Sequence, residues 1–581
     1  MSTDDGCPRE TEQKWNGWGY QDSYFYLDDE QNVAFAGSNN RYDISGKVLP
    51  SLHSWMTENL GIDVSYKTPS QPLPALSSFP VPNRCQPFLE ALEARDVAYS
   101  EEPLHRLNRS HGHTAKDIWS LRQGRLARLP DLVLWPKSQT EVEAVIAAAE
   151  EFGVGLIPYG GGTSVSHALS CPDWEARPVA SLDLRRLSSL LWLDPDNLVA
   201  RAQAGIVGIE LEKQLNTRGF TLGHEPDSIE FSTLGGWVAT RASGMKKNRY
   251  GNIEDIIVQV RMVTPRGVLE KSCQVPRISA GPDIHHFMLG SEGTLGVVTE
   301  VSFKIHPLPP VKKYGSILFP SFKEGVHCMR HIARERCQPA SIRLVDNQQF
   351  RFGQALKPRV ESWLQSLADA AKKAYVTKWK GYDPYEMTAA TLEVEAQESR
   401  IYAIAAQYSG MPAGEENGRY GYMLTFAIAY LRDLGFEYAC IGESFETSVP
   451  WDKALNLCRN VKELLERESR RHGVKYPVLA SCRLTQVYDA GCCIYFYFGF
   501  NYRGLATDPL HVYEEIEEAA REEILANGGS ISHHHGVGKL RANWLPKTVG
   551  NLGISAIQAI KSELDPQNVF ASGNLFGRAK L

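Results

Sequence analysis

Three stretches of small residues, spaced along one β-rich segment, constrain this sequence more than any other feature. The first, YGGGTSV at residues 159–165, places three consecutive glycines after a short apolar run. Glycine leaves the peptide amides uncovered and allows positive φ, so such a run can form an anion-binding concavity of N–H groups. The second stretch covers residues 225–244, and the third, GSEGTLG at residues 290–296, leads into an apolar strand pattern. Each stretch alone is compatible with a structural turn, but together they predict a site for a diphosphate group.

The spacing of the glycines argues against one common kind of nucleotide-binding site. The first stretch lacks the G-x-G-x-x-G pattern, which disfavours a Rossmann site. We expect the ligand to be contacted by these residues: Tyr159, Gly160, Gly161, Gly162, Thr163, Ser164, Val165, Asp227, Ser228, Ile229, Glu230, Phe231, Ser232, Thr233, Thr240, Arg241, Ala242, Ser243, Glu292, Gly293, Thr294, Leu295, Gly296, Val297 and Val298.

The order of the three stretches resembles the FAD-binding domain of the vanillyl-alcohol oxidase and p-cresol methylhydroxylase superfamily. The resemblance implies FAD as the cofactor. It also implies an α+β fold, with a vanillyl-alcohol-oxidase-type FAD-binding domain, an α+β cap (substrate) domain, and helical segments at the N- and C-terminal ends. Relatives that tether FAD covalently often carry a histidine after the glycines, where this sequence has Thr163. We therefore expect non-covalent FAD, with His224 as the alternative anchor.

Four further motifs resemble the alkyldihydroxyacetonephosphate synthase family. They are KWNGWGY at residues 14–20, ASGMKKN at 242–248, IGESFET at 441–447 and SHHHGVGK at 532–539. The resemblance extends from residue 14 to about residue 575. It implies exchange of the acyl group of acyl-dihydroxyacetone phosphate for a long-chain fatty alcohol. This exchange forms the ether bond of ether lipids (plasmalogens) through a covalent adduct at flavin N5, without net oxidation.

The same resemblance implies which side chains act. Tyr495 matches the family's proton-transferring tyrosine, Arg432 its phosphate-binding arginine, and Arg343 an arginine that activity requires. An unperturbed phenol with a pKa near ~10 is a poor base at neutral pH, so we expect help from the flavin or from His533, His534 and His535. Judged from the residues alone, Tyr495 is also compatible with a core aromatic, and Arg432 with a surface ion pair. No cysteine or carboxylate stands at ligand spacing beside the histidines, so we expect no metal.

The length of 581 residues exceeds what one hydrophobic core supports, so several domains are expected. We assign residues 1–125 to an irregular or helical wrapping segment and residues 126–308 to the FAD-binding domain. Residues 309–525 form the cap domain, and residues 526–581 form an active-site loop, a helix and a targeting tail. A cluster of prolines at 307, 309 and 310 marks the main boundary.

Composition and termini indicate the compartment and the partners. The net charge of −6 gives no support for nucleic-acid binding, and eleven scattered cysteines without a C-x-x-C pair favour reduced thiols. No apolar run is long enough to span a bilayer. The sequence ends in Ala579-Lys580-Leu581, a variant of the S-K-L peroxisomal signal, although three residues can match by chance. The resemblance to the synthase family also implies peroxisomal residence, so we expect a peroxisomal protein that engages the import receptor through this tripeptide. We further expect a homodimer that contacts the peroxisomal membrane peripherally.

Two other functions remain open at this point. An FAD-dependent 2-hydroxy acid dehydrogenase of the D-lactate type shares the fold, but it does not account for the three consecutive histidines. A catalytically inactive flavoprotein that acts as a scaffold is the second alternative. The presence of Tyr495, Arg432 and the histidines argues against a scaffold.

Overall fold

A computed structural model describes residues 11–38, 41–359, 371–372, 374–394 and 398–577. The chain divides into two compact units. The first unit contains Gln71–Pro309 together with residues 11–16 and 534–577, and the second contains Gly17–Ser70 and Pro310–His533. The domain bounds expected from the sequence are a different partition, and they stay a prediction.

The described elements are strands and helices mixed along the chain. The strands are β1 Tyr24–Leu27, β2 Val33–Ala36, β3 Val48–Leu49, β4 Ala98–Ser100, β5 Leu132–Trp135, β6 Gly155–Tyr159, β7 Val179–Asp183, β8 Leu190–Asp194, β9 Val199–Gln203, β10 Phe220–Thr221, β11 Ile257–Thr264, β12 Gly267–Leu269, β13 Val297–Lys304, β14 His306–Pro307, β15 Lys313–Phe319, β16 Ser341–Val345, β17 Thr388–Val394, β18 Met411–Pro412, β19 Cys440–Pro450, β20 Val478–Val487 and β21 Gly491–Asn501. The helices are α1 Leu52–Leu60, α2 Gln86–Glu93, α3 Pro103–Asn108, α4 Ala115–Arg122, α5 Gln139–Phe152, α6 Gly208–Asn216, α7 Leu234–Thr240, α8 Lys247–Tyr250, α9 Ile253–Ile256, α10 His285–Met288, α11 Phe322–Arg334, α12 Asn347–Ala355, α13 Glu398–Gln407, α14 Glu415–Ile428, α15 Leu431–Glu437, α16 Ala454–Arg471, α17 Pro509–Ala526 and α18 Leu545–Leu564. The expected α+β class is confirmed.

The first unit is built on two larger sheets. A four-stranded sheet has the order β4-β5-β7-β6, in which β5 and β6 run parallel to β7. A five-stranded antiparallel sheet has the order β12-β11-β13-β9-β8. Strand β6 ends at Tyr159 and β13 begins at Val297, so the first and third glycine stretches both lie at strand ends.

Helix α5 fixes the position of β6. Ser138 caps the N-terminus of the helix, because its hydroxyl accepts a hydrogen bond from the Glu141 amide at 3.2 Å. The apolar face of the helix buries Val142, Val145 and Ile146 in the core of the first unit. The helix ends at Gly153, whose φ of +67° suits a left-handed cap. Two residues later β6 starts, and it carries the chain into the first glycine stretch.

The second unit is built on a seven-stranded sheet of order β18-β15-β17-β16-β20-β21-β19. One face is apolar and packs in the core, with Phe496 stacked on Phe445 at 5.5 Å and Phe498 on Tyr513 of α17 at 5.6 Å. Because successive side chains of a strand alternate between faces, the residues between these phenylalanines belong to the opposite face. That opposite face carries charged and hydroxyl side chains.

The N-terminal region is more ordered than the sequence suggested. We expected an irregular segment, yet β1, β2 and β3 form an antiparallel sheet in the second unit. Phe25, Val33 and Phe35 are buried in its core. The sequence did not indicate these strands because each has at most four residues. In β1 the exposed residues are Tyr24 and Tyr26, so the strand lacks the usual alternation of polar and apolar residues.

Two expectations about the whole chain concern membranes and thiols. In the part of the chain that the structure describes, no helix has both the length and the apolar character needed to cross a bilayer. No disulfide joins the cysteines of the described ranges, most of which are buried. Cys7 and the C-terminal tripeptide at residues 579–581 lie outside the described residues.

Candidate active site

The first glycine stretch lies directly against the second, within the first unit. A Cβ atom on Gly161 would lie 1.9 Å from the carbonyl oxygen of Phe231, and one on Gly160 would lie 2.4 Å from Thr233 Oγ1. Both distances are far below van der Waals contact, so any side chain there would force the two stretches apart. Gly162 has a φ of +73°, which glycine adopts without steric cost. Glycine is therefore needed here for close approach of two main chains.

The third stretch joins the other two through its backbone. The amides of Gly290 and Glu292 donate to the carbonyl oxygens of Val238 (3.2 Å) and Ala239 (2.8 Å), both on helix α7. A Cβ atom on Gly293 would lie 3.2 Å from the side chain of Pro158 on β6. The structure thus brings together the three stretches expected to hold FAD. We call residues 159–165, 227–243 and 292–298 the FAD loops.

Most polar side chains of the FAD loops are engaged inside the protein. The buried Tyr159 donates its hydroxyl to the Asn108 carbonyl at 3.2 Å, and Ser232 Oγ accepts from the indole N–H of Trp237 at 2.8 Å. Thr233 caps α7, Thr240 Oγ1 donates to the Gly236 carbonyl, and the exposed Arg241 lies 3.3 Å from Glu254. These residues can offer a ligand mainly main-chain atoms.

The remaining expected contacts differ in exposure. Buried positions are Gly162, Ile229, Phe231, Ala242, Ser243, Glu292, Gly293, Thr294, Leu295, Gly296, Val297 and Val298, and half-buried positions are Gly160, Gly161, Thr163, Ser164, Val165, Asp227, Ser228 and Glu230. The half-buried set lies in the first two loops. Which of these residues touch FAD stays a prediction.

His224 lies at the start of the second stretch and is fully buried. Neither of its ring nitrogens has a hydrogen-bond partner among the described residues, and its ring lies 4.7 Å from that of Trp237. Burial lowers the pKa of His224 to about 3, and the charge of nearby His534 lowers it further, so the imidazole is neutral. A neutral imidazole offers one donor and one acceptor, and leaving such groups unpaired costs about 1–3 kcal/mol each. Together with the glycine contacts, this histidine fits a polar ligand such as FAD.

Glu292 of the third loop holds a second segment of the first unit, the histidine loop (residues 534–539). Its carboxylate accepts from the amides of Val537 and Gly538, both at 2.6 Å. Burial raises the pKa of Glu292, while these two amides and the charge of Arg541 oppose the rise. We had expected Glu292 to contact FAD, and the structure shows that its carboxylate also orients the histidine loop.

Two of the three histidines lie in this loop. The rings of His534 and His535 contact each other edge to face, with centroids 4.8 Å apart. His534 is close enough to His224 to influence its titration. The histidine loop therefore lies beside the FAD loops.

In the second unit, Tyr495 lies on the polar face of the seven-stranded sheet. Its direct neighbours across the sheet are Glu446 on β19 and Arg483 on β20. Tyr497 lies on the same face, and its ring stacks on that of Tyr495 with centroids 6.5 Å apart. Sequence reasoning missed Arg483 and the role of Glu446. Only the alternation of charged with apolar residues along β20 and β19 could have indicated them.

The two expected substrate arginines occupy different places in the second unit. Arg343 on β16 is 6% exposed, shares the polar face, and donates to Thr425 Oγ1 of α14 at 2.5 Å. Arg432 on α15 lies 3.9 Å from the Glu443 carboxylate at the edge strand β19. A phosphate at Arg432 would therefore meet an arginine that already has an acidic neighbour. The roles of both arginines stay predictions.

His533 belongs to the second unit and has its own partners there. Its Nε2 lies 2.6 Å from the Tyr488 hydroxyl, and its amide donates to the Glu446 carboxylate, which also accepts from Ser532 Oγ at 2.7 Å. Glu446 thus connects the backbone before the histidines to the strand position opposite Tyr495. His533 pairs with the Tyr488 hydroxyl, and the rings of His534 and His535 contact each other.

Comparison with known proteins gives matches over nearly the whole length. Residues 130–272 match the model of a family described as FAD binding domain, and residues 308–575 match the C-terminal domain of FAD linked oxidases. Alkyldihydroxyacetonephosphate synthase of Caenorhabditis elegans is 56% identical over 570 residues, which cover 97% of this chain and 95% of that protein. The enzyme of the same name from Dictyostelium discoideum is 30% identical, with 96% and 92% covered.

Comparison with solved structures also finds a protein with the same fold. An alkyldihydroxyacetonephosphate synthase superposes with a TM-score of 0.84 at 27% identity, and the match covers 100% of both chains. Similarity over the full length of both molecules means that both units, and not the FAD-binding region alone, have counterparts in that structure.

Proposed function

The chain belongs to the alkyldihydroxyacetonephosphate synthase family and is an FAD-dependent enzyme, and from this we propose that it makes the ether bond of ether lipids. The proposed reaction converts acyl-dihydroxyacetone phosphate and a long-chain fatty alcohol into alkyl-dihydroxyacetone phosphate and a fatty acid. The C–O bond to the acyloxy group breaks, a C–O bond to the alcohol forms, and the alcohol proton leaves with the fatty acid. No oxidant or reductant is consumed.

When bound and in its reduced form, FAD would supply a nucleophilic N5 position for this exchange, which involves no net oxidation. The chain would hold the cofactor by main-chain atoms of the FAD loops, where glycines permit close approach, and by the buried imidazole of His224. Thr163 stands where covalently tethered relatives have histidine, which supports non-covalent binding.

The observation that carries the proposal is the buried polar face of the seven-stranded sheet in the second unit. A sheet buried on both faces normally carries apolar residues on both. Here one face instead holds Arg343, Arg483, Tyr495 and Glu446, which are all exposed by 7% or less. Keeping such groups out of water is costly, so their presence in one face indicates a site for a charged or reacting molecule.

Each of these residues has a proposed part in the exchange. Tyr495 moves the proton at the reacting carbon, and Glu446 fixes the backbone of His533, which lies beside the Tyr488 hydroxyl. Arg432 binds the phosphate, for which a planar guanidinium is suited, and Arg343 belongs to the substrate site. His534 and His535, beside the FAD loops, assist the proton transfer.

The test is a stoichiometric exchange assay on the purified holoenzyme. Acyl-dihydroxyacetone phosphate and a radiolabelled C16 alcohol should yield labelled ether lipid and free fatty acid in a 1:1 ratio. Tyr495→Phe should retain FAD yet lose about 10²- to 10⁴-fold in rate, the usual contribution of a general acid–base group. Tyr497→Phe is the matched control, because it removes a hydroxyl from the neighbouring ring of the same face. Normal turnover by Tyr495→Phe would contradict the assigned role.

One alternative remains, a 2-hydroxy acid dehydrogenase of the D-lactate type. It is favoured by the match of residues 308–575 to FAD linked oxidases. Such an enzyme would bleach its flavin on addition of D-lactate, whereas the proposed enzyme would not. Bleaching by D-lactate without ether formation would replace the proposal by this alternative.

Location and partners form a separate part of the proposal. We propose that the enzyme resides in peroxisomes and that Ala579-Lys580-Leu581 engages the import receptor. The lipid substrates support peripheral contact with the peroxisomal membrane. A homodimer is proposed as the oligomeric state, and sedimentation measurements on the holoenzyme test it.

A further inference from the structure

A buried arginine that the proposed reaction does not otherwise use lies over the tyrosine that it does. The guanidinium carbon of Arg483 is 4.8 Å from the centre of the Tyr495 ring and 5.1 Å from that of Tyr497. The two rings are 6.5 Å apart with an interplanar angle of 27°, so the cation lies against both. Arg483 is 5% exposed and Tyr495 is 7% exposed. Water therefore screens this charge far less than it would a surface charge.

The sheet register enforces this arrangement. Arg483 is the cross-strand partner of Tyr495, and the two strands remain in register from Val478 as far as Leu484. A bulge follows between Leu484 and Gln486. Arg483 is thus the last charged residue of β20 before the register shifts, and its position opposite Tyr495 is set by backbone pairing.

Other titratable groups also face Tyr495, and their signs differ. Glu446 lies opposite on β19, but its carboxylate accepts from Ser532 Oγ and the His533 amide. Tyr497 and Cys493 lie on the same face of β21, and Arg343 lies on that face of β16. His533, whose amide donates to Glu446, pairs through its ring with the Tyr488 hydroxyl. Among these groups, Arg483 is a cation whose guanidinium carbon lies 4.8 Å from the centre of the phenol ring.

We propose that Arg483 is a positioning residue that favours the phenolate form of Tyr495, and so sets the pH range in which this tyrosine exchanges its proton. The inference rests on the proposed function for its catalytic meaning. Its electrostatic content stands on geometry alone, because a cation 4–6 Å away stabilises the charged form of an acid. A phenol assisted in this way becomes a usable base nearer neutral pH.

The electrostatic part can be measured without turnover. Holoenzyme labelled with 3-fluorotyrosine is titrated by ¹⁹F NMR, and the Tyr495 resonance is the one that Tyr495→Phe lacks. In Arg483→Gln we expect this resonance to titrate roughly one to three pH units higher than in the wild-type protein. Arg483→Lys retains the charge and should restore a large part of the difference. In Glu446→Gln, which removes a negative neighbour, the shift should have the opposite sign.

The catalytic part is read from the pH profile of ether formation. The rising limb of kcat/KM should move to higher pH in Arg483→Gln by the same interval as the NMR titration. An unchanged titration with a raised KM alone would make Arg483 a substrate ligand and overturn the proposal. If Arg483→Gln does not fold, the wild-type protein decides: its Tyr495 resonance must titrate below that of free 3-fluorotyrosine, and a higher value overturns the proposal. A shifted titration in a protein without exchange activity would contradict the proposed function but not the electrostatic role.

Discussion

Replacing Glu292 with glutamine should loosen the histidine loop, because the wild-type carboxylate accepts two backbone amides there. Both bonds, to Val537 and Gly538, are 2.6 Å long and charge-assisted. Glutamine has nearly the same shape, but its terminal NH₂ can only donate. One of the two amides would then face another donor in a buried site.

The magnitude follows from the bond that is lost. A hydrogen bond to a charged group contributes about 1.5–3 kcal/mol, and a buried unsatisfied donor adds a further cost. A local opening that becomes easier by about 1.5–3 kcal/mol is roughly 10- to 150-fold more populated. We therefore expect amide hydrogen exchange of residues 537 and 538 to accelerate by about that factor when exchange follows local opening.

Hydrogen–deuterium exchange of peptides spanning residues 534–541 in FAD-saturated protein provides the assay. Glu300→Gln is the matched control, because Glu300 lies on β13 of the same unit but accepts from Arg201 and Arg261 instead of from the histidine loop. Equal exchange in Glu292→Gln and wild type would refute the orienting role. Loss of FAD affinity with unchanged exchange would assign the carboxylate to the cofactor instead.

Other perturbations probe the cofactor, the substrate, the compartment and the buried histidine. Because Thr163 replaces the tethering histidine, denatured protein should release its FAD into the supernatant, and flavin that precipitates with the chain would contradict this. Arg432→Lys keeps the charge but loses the planar fork, so the apparent KM for acyl-dihydroxyacetone phosphate should rise about 10- to 150-fold, and an unchanged KM would remove Arg432 from the phosphate site. Deleting residues 579–581 should leave activity intact but move the protein to the cytosol, as fluorescence microscopy can test. Because burial lowers the pKa of His224 to about 3, stability of the apoprotein should fall as pH drops from about 6.5 towards 3. His224→Phe should reduce this loss in thermal unfolding measurements, and an identical pH dependence would show that other groups cause it.

Elements with strong periodicity were predictable from the sequence. The amphipathic pattern at residues 141–152 matches α5, and the apolar run at residues 492–500 matches β21 within one residue at each end. The two-residue period of a strand is enough to place Tyr495 and Tyr497 on one face, as the structure shows. The ends of the elements are less evident from the sequence. The helical pattern continues to Thr217, whereas α6 ends at Asn216 and Gly219 lies in the following turn.

The residues that surround Tyr495 could not be found in this way. Glu446, Arg483 and Tyr495 come from three strands, and only the pairing register makes them neighbours. A shift of one residue in either strand would turn Arg483 or Glu446 to the apolar face. The bulge after Leu484 introduces such a shift, and no feature of the local sequence announces it. The first two FAD loops are also distant in the sequence but in contact in the structure. The sequence shows that glycines are present there, but it does not show which main chain lies against them.

The C-terminal residues of the first unit are hydrogen-bonded to β6 and to the third FAD loop, and these contacts have a consequence for the order of events during synthesis. Leu156 on β6 exchanges backbone hydrogen bonds with Val569 and Ala571, and Lys561 donates to the Thr294 carbonyl of the third FAD loop at 2.7 Å. A ribosome synthesises the FAD loops more than 250 residues before these fastening segments. The FAD loops of the nascent chain therefore lack these contacts while Pro310–His533 of the second unit is made. Cofactor binding at these loops is therefore expected only after the whole chain has been made, and truncation before Lys561 would remove all of these contacts.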